Sequence, residues 1–145
     1  MARFAVVIAT HDYCYPLEKC LEGHLKLCER AEDLIFVDNG SGGRLAQLAE
    51  AVDPALTAVV NETNGFFCGG YNAGLRVALD RGYDHILIVN ADTEVLNPDY
   101  VAELIAIADD SPGAAFVGPR VSNGDPTTIH NTIMALCGML YGVCR

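Results

Sequence analysis

The chain has 145 residues, 51% hydrophobic and 19% charged, which is enough to bury the core of one globular domain. Nine Lys and Arg residues stand against 19 Asp and Glu residues, so the formal net charge is −10. Because nucleic acid is bound through basic patches, this balance excludes it as an expected partner. A phosphate-bearing ligand would need local help from backbone N–H groups, arginine or a metal ion.

Short apolar runs alternate with segments of helical periodicity along the chain. The β-branched run "FAVVIAT" is typical of a buried strand, and apolar residues recur at helical spacing after Pro16. The predicted elements, in order, are a strand over 4–10, a helix over 17–28, a strand with a Gly-rich turn over 33–43, a helix over 44–52, a strand over 56–62, a loop opening into a helix over 64–79, a strand over 84–90, a helix from Pro98 and a fifth strand over 113–118. This alternation predicts an α/β fold with a mainly parallel sheet.

Polar clusters follow four of the predicted strands. In open α/β sheets, ligands bind beyond the carboxyl ends of the strands, so these clusters are expected to face one crevice. Taken singly, each cluster has the composition of an ordinary turn or helix cap. Their members are Thr10, His11 and Asp12, then Asp38, Asn39 and Gly40, then residues 61–65, and finally Asn90 and Asp92.

The glycines of "NGFFCGGYNAG" (64–74) do not match a dinucleotide-binding fingerprint. That fingerprint follows the first strand directly, where this chain has "THDYCYP", and no Walker pattern is present. Two interpretations stay open for these glycines: a loop whose backbone approaches a ligand, or a tight turn.

The six cysteines form no C-x-x-C pair, and no histidine stands at zinc-finger spacing from them. They are predicted to be mostly small core residues. The first residues lack the pattern of a signal peptide, and the expected location is the cytoplasm. The apolar tail over 133–145 is too short to span a bilayer, which needs about 20 such residues. It is expected either to be a core element or to be an exposed surface that meets a partner, a membrane surface or a missing part of the protein.

Four segments, in this order and spacing, resemble the nucleotide-sugar half of the family 2 glycosyltransferases. They are "VVIATHD", "VDNGS", "NGFFCGGYNAG" and "VNADTEV". The resemblance covers roughly residues 4–120 and is greatest to the rhamnosyltransferase-like branch. It implies a GT-A (Rossmann-like) α/β/α sandwich, as a single nucleotide-sugar-binding domain over 1–145 that is expected to be truncated or minimal.

The resemblance also implies roles for individual residues. Thr10 and the backbone at His11 match positions that contact the nucleobase, and Asp38 matches an acid that hydrogen-bonds the base or ribose. The residues that match the loop lying against the nucleotide are Asn64, Gly65, Gly69, Gly70 and Asn72. Asp92 matches the last acid of the D-x-D motif, which holds Mg²⁺ or Mn²⁺ against the diphosphate, and such hard cations prefer oxygen ligands.

The chain departs from the family pattern at several positions. Asn90 occupies the place of the first D-x-D acid, so the metal has one matching carboxylate, with Glu94 a weaker candidate helper. Tyr71 stands where some relatives have arginine, and Arg76 is a candidate substitute or a surface residue. The general base of inverting members lies in a later segment, where this chain offers only Asp125 and the lone His130, so no base is assigned.

The expected function is therefore inverting transfer of a sugar from a nucleotide-diphosphate donor to an acceptor hydroxyl of a glycan, a lipid-linked compound or another molecule. The alternative is a non-catalytic α/β interaction module that forms a homo-oligomer through its apolar tail. Nucleotidyl transfer is disfavoured because no Lys/Arg-rich phosphate loop follows the first strand.

Overall fold

The computed structural model describes residues 3–12 and 16–118. Contacts divide the chain into two units, residues 1–96 and residues 97–145, so the prediction of a single domain stays a prediction. Among the described residues, the first unit contains four strands, three α-helices and a short 3-10 helix at Ala31–Asp33. Its elements are β1 (Phe4–Thr10), α1 (Leu17–Leu25), β2 (Leu34–Asn39), α2 (Arg44–Val52), β3 (Thr57–Asn61), α3 (Phe66–Asp80) and β4 (His85–Asn90).

The strands form one parallel sheet in the order β3-β2-β1-β4. β2 and β3 are added in turn on one side of β1, and β4 is added on the other side of β1. The strand order therefore reverses between β1 and β4, which is the switch point where α/β sheets leave a crevice at their carboxyl edge. The predicted α/β class and mainly parallel sheet are confirmed.

Alternate residues of each strand point to opposite faces of the sheet, and the apolar side chains on both faces pack against helices. Val6 and Ile8 of β1 pack with Leu21 of α1 and Leu45 of α2. Ala5 and Val7 belong to the second core cluster, with Tyr71 and Ala78 of α3 and Ile35 of β2. The three layers agree with the predicted GT-A-like α/β/α sandwich.

The Gly-rich segment differs from its predicted form, since most of it is helix and not loop. α3 begins at Phe66, so Gly69, Gly70 and Gly74 lie inside the helix. A Cβ on Gly74 would lie 2.4 Å from Val7 Cγ1, so the helix can approach the sheet this closely only with glycine there. The expectation of a ligand loop overlooked this use of glycine at a helix–sheet contact.

Hydrogen bonds and ion pairs close the amino edge of the sheet. The buried carboxylate of Asp33 lies 2.8 Å from the Arg30 guanidinium and accepts a 2.7 Å hydrogen bond from the Tyr83 hydroxyl. The guanidinium of Arg3 lies 4.5 Å above the Tyr83 ring, and Arg3 also donates to the Arg81 carbonyl. Burial alone would raise the pKa of Asp33, but the hydrogen bonds from Arg30 and Tyr83 lower it. The pKa of this carboxyl therefore lies below its ordinary value.

In the second unit, the structure describes residues 97–118. The sequence predicts a helix from Pro98, and helix α4 (Tyr100–Asp109) begins two residues later. The predicted strand over 113–118 is wrong. A turn joins Ser111 to Ala114 through a 2.8 Å backbone hydrogen bond, and no strand pairs with 113–118 among the described residues, so the apolar run leaves Phe116 54% exposed. No described helix combines the length and the apolar character needed to cross a bilayer.

Candidate functional site

The polar strand ends meet at the carboxyl edge of the sheet, as the sequence predicts. The strand registers align Thr10 with Asp38, Asn39 with Asn61, and Ala9 with Asn90. One edge therefore carries the ends of all four described strands, and the β1/β4 switch point lies within it. Sheet geometry and not sequence proximity brings these residues together.

The loop after β1 is tied to the loop after β2. The backbone N–H of Asp12 donates to the hydroxyl of Ser41 at 2.9 Å, and the Asp12 carboxylate lies 3.2 Å from the Arg44 guanidinium. His11, next to it, is exposed, with Nε2 3.5 Å from the Asp12 carboxylate. Thr10 and His11 thus lie at the crevice edge, and their contact with a nucleobase stays a prediction.

Asp38 has a structural role that the sequence reasoning did not assign. Its side chain is fully buried. One carboxylate oxygen accepts a 2.7 Å hydrogen bond from the Ser41 N–H, and the other accepts bonds from Leu45 and Ala46 in the first turn of α2. The carboxylate satisfies otherwise unpaired N–H groups at a helix N-terminus. A contact with base or ribose stays a prediction.

The sequence analysis places Asn39 in the polar cluster after the second strand but assigns it no role, and in the structure its side chain organises the loop after β3. Its side chain is 4% exposed, and its Oδ1 accepts from Asn61 Nδ2 at 2.9 Å and from the Gly65 N–H at 3.1 Å. Its Nδ2 donates to Asn64 Oδ1 at 3.1 Å and to the Phe66 carbonyl at 2.9 Å. The available signal in the sequence was an asparagine at the end of β2, matched by Asn61 at the end of the neighbouring β3.

Glycine at position 40 allows the loops after β2 and β3 to touch. Its φ is +88°, and a Cβ there would lie 2.3 Å from the backbone nitrogen of Asn64. Asn64 and Gly65 therefore lie at the edge, as predicted. Gly70 instead contacts Asn39 Nδ2 inside α3, where a Cβ would lie 2.9 Å from it. Gly69 and Asn72, both partly exposed, lie on the first turns of α3.

Tyr71 supports Asn90 from below the edge. The ring is 2% exposed, and its hydroxyl lies 2.7 Å from the Val89 carbonyl and 3.1 Å from Asn90 Oδ1. Burial raises the pKa of this hydroxyl, so it stays protonated and can donate. Because tyrosine stands at position 71 where some relatives have arginine, the group beneath Asn90 is a neutral hydrogen-bond donor and not a cation. Arg76, the candidate substitute, is exposed on the next turn of α3.

Asp92 lies in an exposed turn directly after β4. The hydroxyl and the N–H of Thr93 close that turn on the Asn90 carbonyl, at 2.8 and 3.3 Å. Within the described residues, the Asp92 carboxylate makes no hydrogen bond or ion pair, and Asp99, not Asp92, precedes α4. Unlike that of Asp38, this carboxylate is oriented by no backbone donor among the described residues.

The donor set fits a metal ion only if the ligand completes it. Glu94 forms a 2.7 Å ion pair with Lys19, which weighs against it as the helper. In residues 3–12 and 16–118, no three His, Cys, Asp or Glu side chains form a cluster that could hold a metal. Mg²⁺ commonly binds one or two carboxylates together with substrate phosphates and waters. Among the described residues, Asp92 fits that mode.

The three described cysteines are thiols and not disulfides. Cys20 is buried beneath Asn90, with its sulfur 3.8 Å from the Asn90 carbonyl, and burial raises its pKa to about 11. Burial also raises the pKa of the half-buried Cys28 to about 12. Both are thiols, not thiolates, at neutral pH, so they serve packing and not nucleophilic chemistry.

Several predictions fall outside the described residues. They concern the candidate bases Asp125 and His130, the apolar tail over 133–145, and the oligomer or membrane-surface contact assigned to that tail.

A cavity of about 290 Å³ lies among the described residues, but at the amino edge, where Arg3, Arg30 and Asp33 line it. Because Arg30 and Asp33 pair with each other and Arg3 donates to the Arg81 carbonyl, we place the candidate ligand site at the carboxyl edge instead.

The fold and the edge define an α/β domain with polar strand ends at the switch point of a parallel sheet. The chain matches the family described as Glycosyl transferase family 2 over residues 5–140, and it therefore belongs to that family. No curated protein matches the chain. Membership implies sugar transfer from a nucleotide-sugar donor to an acceptor.

Proposed function

We propose that the domain transfers a sugar from a nucleotide-diphosphate donor to an acceptor hydroxyl with inversion, with the diphosphate held at the β1/β4 crevice through a divalent cation on Asp92. The observation that carries this proposal is the exposed Asp92 carboxylate, which has no hydrogen bond within the described residues. It lies directly after β4, beside the switch point of a family 2 chain.

Electrostatics gives that carboxylate a reason to be there. A diphosphate brings about two negative charges to a chain of net charge −10, and mutual repulsion opposes binding. Mg²⁺ or Mn²⁺ between Asp92 and the phosphate oxygens would convert the repulsion into coordination. When bound, the cation would also supply Lewis acidity to the leaving diphosphate.

The surrounding side chains would orient the donor. Tyr71 holds the Asn90 amide at the position of the missing first acid, where it offers a neutral oxygen or N–H group to the ligand. Lys19 neutralises Glu94, so the described turn presents the charge of one unpaired acid and not two. A donor of the rhamnosyltransferase-like branch is one candidate among the nucleotide sugars, and its acceptor is a hydroxyl on a glycan or lipid-linked compound.

Calorimetric titration with UDP, dTDP and GDP, each with and without Mn²⁺, tests the proposal. We expect Mn²⁺-dependent binding that Asp92→Asn weakens at least about tenfold, because the amide keeps the shape but loses the charge that the cation requires. Glu50→Gln, which removes an exposed acid from α2, is the matched control and should bind as the unchanged chain does.

Binding without metal that survives both Asp92→Asn and Asp92→Ala would remove the assignment. Inversion has its own test, since a transferred sugar keeps or exchanges its anomeric configuration. We expect the opposite configuration in the product by NMR spectroscopy, and retention would contradict this part of the proposal.

A further inference from the structure

Phe66 combines two unfavourable features at the carboxyl edge. Its side chain is 78% exposed, the second most exposed of the large hydrophobic residues described. Its φ is +55°, a conformation that bulky residues rarely adopt because Cβ approaches the backbone carbonyl. Strained backbone in folded proteins is concentrated at functional sites, so Phe66 is a candidate for a functional role.

Two asparagine side chains hold the backbone of Phe66 in this conformation. The N–H of Phe66 donates to Asn64 Oδ1 at 2.8 Å, and its carbonyl accepts from Asn39 Nδ2 at 2.9 Å. Asn39 is itself buried and fixed by Asn61. The backbone of Phe66 is thus held from both sides, and the aromatic ring is presented to solvent by a rigid support.

The strand order places Phe66 and Asp92 at opposite ends of the edge. Phe66 follows β3, whereas Asp92 follows β4, and the order is β3-β2-β1-β4. Neighbouring strands lie about 4.8 Å apart, so β2, to which Phe66 is hydrogen-bonded through Asn39, lies about 10 Å from β4. A nucleotide with its diphosphate at Asp92 would extend its nucleoside past β1 toward β2 and β3.

We propose that the ring of Phe66 is the surface on which the base of the donor nucleotide stacks. The inference rests on the proposed function, because Asp92 fixes the other end of the ligand. Stacking would bury a ring that is otherwise hydrated, and every base has a π-face that an aromatic ring can cover. Phe66 would then contribute affinity for the nucleoside without selecting one base strictly.

The test compares UDP with pyrophosphate, each in the presence of Mn²⁺, because only UDP carries a base. Phe66→Ala should weaken UDP binding about 5- to 150-fold and leave pyrophosphate binding unchanged. Phe66→Tyr should restore UDP affinity to within about threefold of the original, since it keeps the ring. Leu79→Ala is the matched control, because Leu79 is 65% exposed on the last turn of the same helix, about 20 Å along its axis.

Phe66→Gly separates stacking from a structural role. Glycine relieves the positive φ, so the melting temperature should stay unchanged or rise by up to about 4 °C, while UDP affinity falls as in Phe66→Ala. Equal UDP affinity in Phe66→Ala and the unchanged chain would overturn the stacking proposal, and so would an equal loss of pyrophosphate binding. If the unchanged chain binds neither UDP, dTDP nor GDP, the proposed function fails and the stacking proposal with it.

Discussion

Asp38 and Asp92 both follow an apolar strand at the same edge of the sheet, yet their surroundings are opposite. Asp38 is fully buried and accepts three backbone hydrogen bonds, whereas Asp92 is exposed and accepts none from the described residues. A carboxylate that the protein itself satisfies stabilises the fold. One that it leaves unsatisfied is the better candidate to bind a ligand.

Replacing Asp38 should therefore cost stability. We expect Asp38→Ala to lower the free energy of unfolding by about 2–4 kcal/mol, because three N–H groups, two of them in the first turn of α2, lose their acceptor. Urea denaturation measures the change. Asp53→Ala is the control, since the partly buried Asp53 accepts a single N–H from Ala55 and should cost less than about 1 kcal/mol. Equal losses in the two variants would contradict the capping role.

For single residues, the sequence predicts where a side chain lies in the fold better than it predicts what the side chain does. Thr10, Asp38, Asn64 and Asp92 lie at the carboxyl edge as predicted, because strand ends can be recognised from apolar runs. The partners of each side chain could not be predicted, since they come from loops that only the fold brings together. Asn39 shows this most clearly, because its four hydrogen bonds reach residues 22 to 27 positions away.

Helix α3 shows why glycine is ambiguous in a sequence. "NGFFCGGYNAG" has the composition of a ligand loop, but Gly70 and Gly74 serve close contact with Asn39 and Val7. The strands were predicted to within one or two residues at most ends, since β-branched runs mark them directly. The predicted strand at 113–118 failed because an apolar run does not become a strand without a neighbour to pair with.

Two substitutions in α3 should have opposite effects. Gly74→Ala places Cβ 2.4 Å from Val7 Cγ1, so we expect the free energy of unfolding to fall by about 1–3 kcal/mol. Gly69→Ala meets no atom within 4 Å and should raise it by about 0.5–1 kcal/mol, because alanine favours a helix interior. Thermal and urea denaturation of both variants give the comparison.

The same pair also tests Gly69 as a site residue. If its backbone lies against the nucleotide, as the family resemblance implies, Gly69→Ala should lower UDP affinity while it stabilises the fold. Unchanged affinity would restrict the nucleotide-contacting part of the segment to the residues before Gly69. A destabilised Gly69→Ala protein would contradict the helical assignment itself.

In the first unit, the amino edge of the sheet contributes to stability, whereas the carboxyl edge carries the candidate ligand site. The amino edge is closed by Arg30, Asp33 and Tyr83, and the pKa of Asp33 lies below its ordinary value of 3.8. A depressed carboxyl pKa contributes stability above the unfolded-state value, and that contribution is lost as the pH falls through the folded-state value. Stability should therefore fall below about pH 4, in part through Asp33.

Asp33→Asn tests this origin of acid sensitivity. The variant should be less stable at pH 7, because the ion pair with Arg30 is lost, but its stability should change less between pH 5 and pH 3 than that of the unchanged chain. Urea midpoints at pH 7, 5 and 3 supply the measurement. Parallel pH profiles for the two proteins would show that other carboxyl groups control the transition.

The net charge of −10 makes one further prediction, for the salt dependence of nucleotide binding. Without a divalent cation, the diphosphate is repelled by the whole chain, so raising NaCl should screen the repulsion and leave UDP affinity unchanged or higher. With Mn²⁺, salt weakens the attraction between the cation and Asp92, so the advantage conferred by the metal should shrink as NaCl rises. Calorimetric titration at about 20 and 300 mM NaCl, where the Debye length is about 22 and about 6 Å, would measure both. If metal-free affinity instead falls steeply with salt, a basic side chain binds the phosphates directly, and Arg44, exposed at the same edge in its ion pair with Asp12, is the residue to replace.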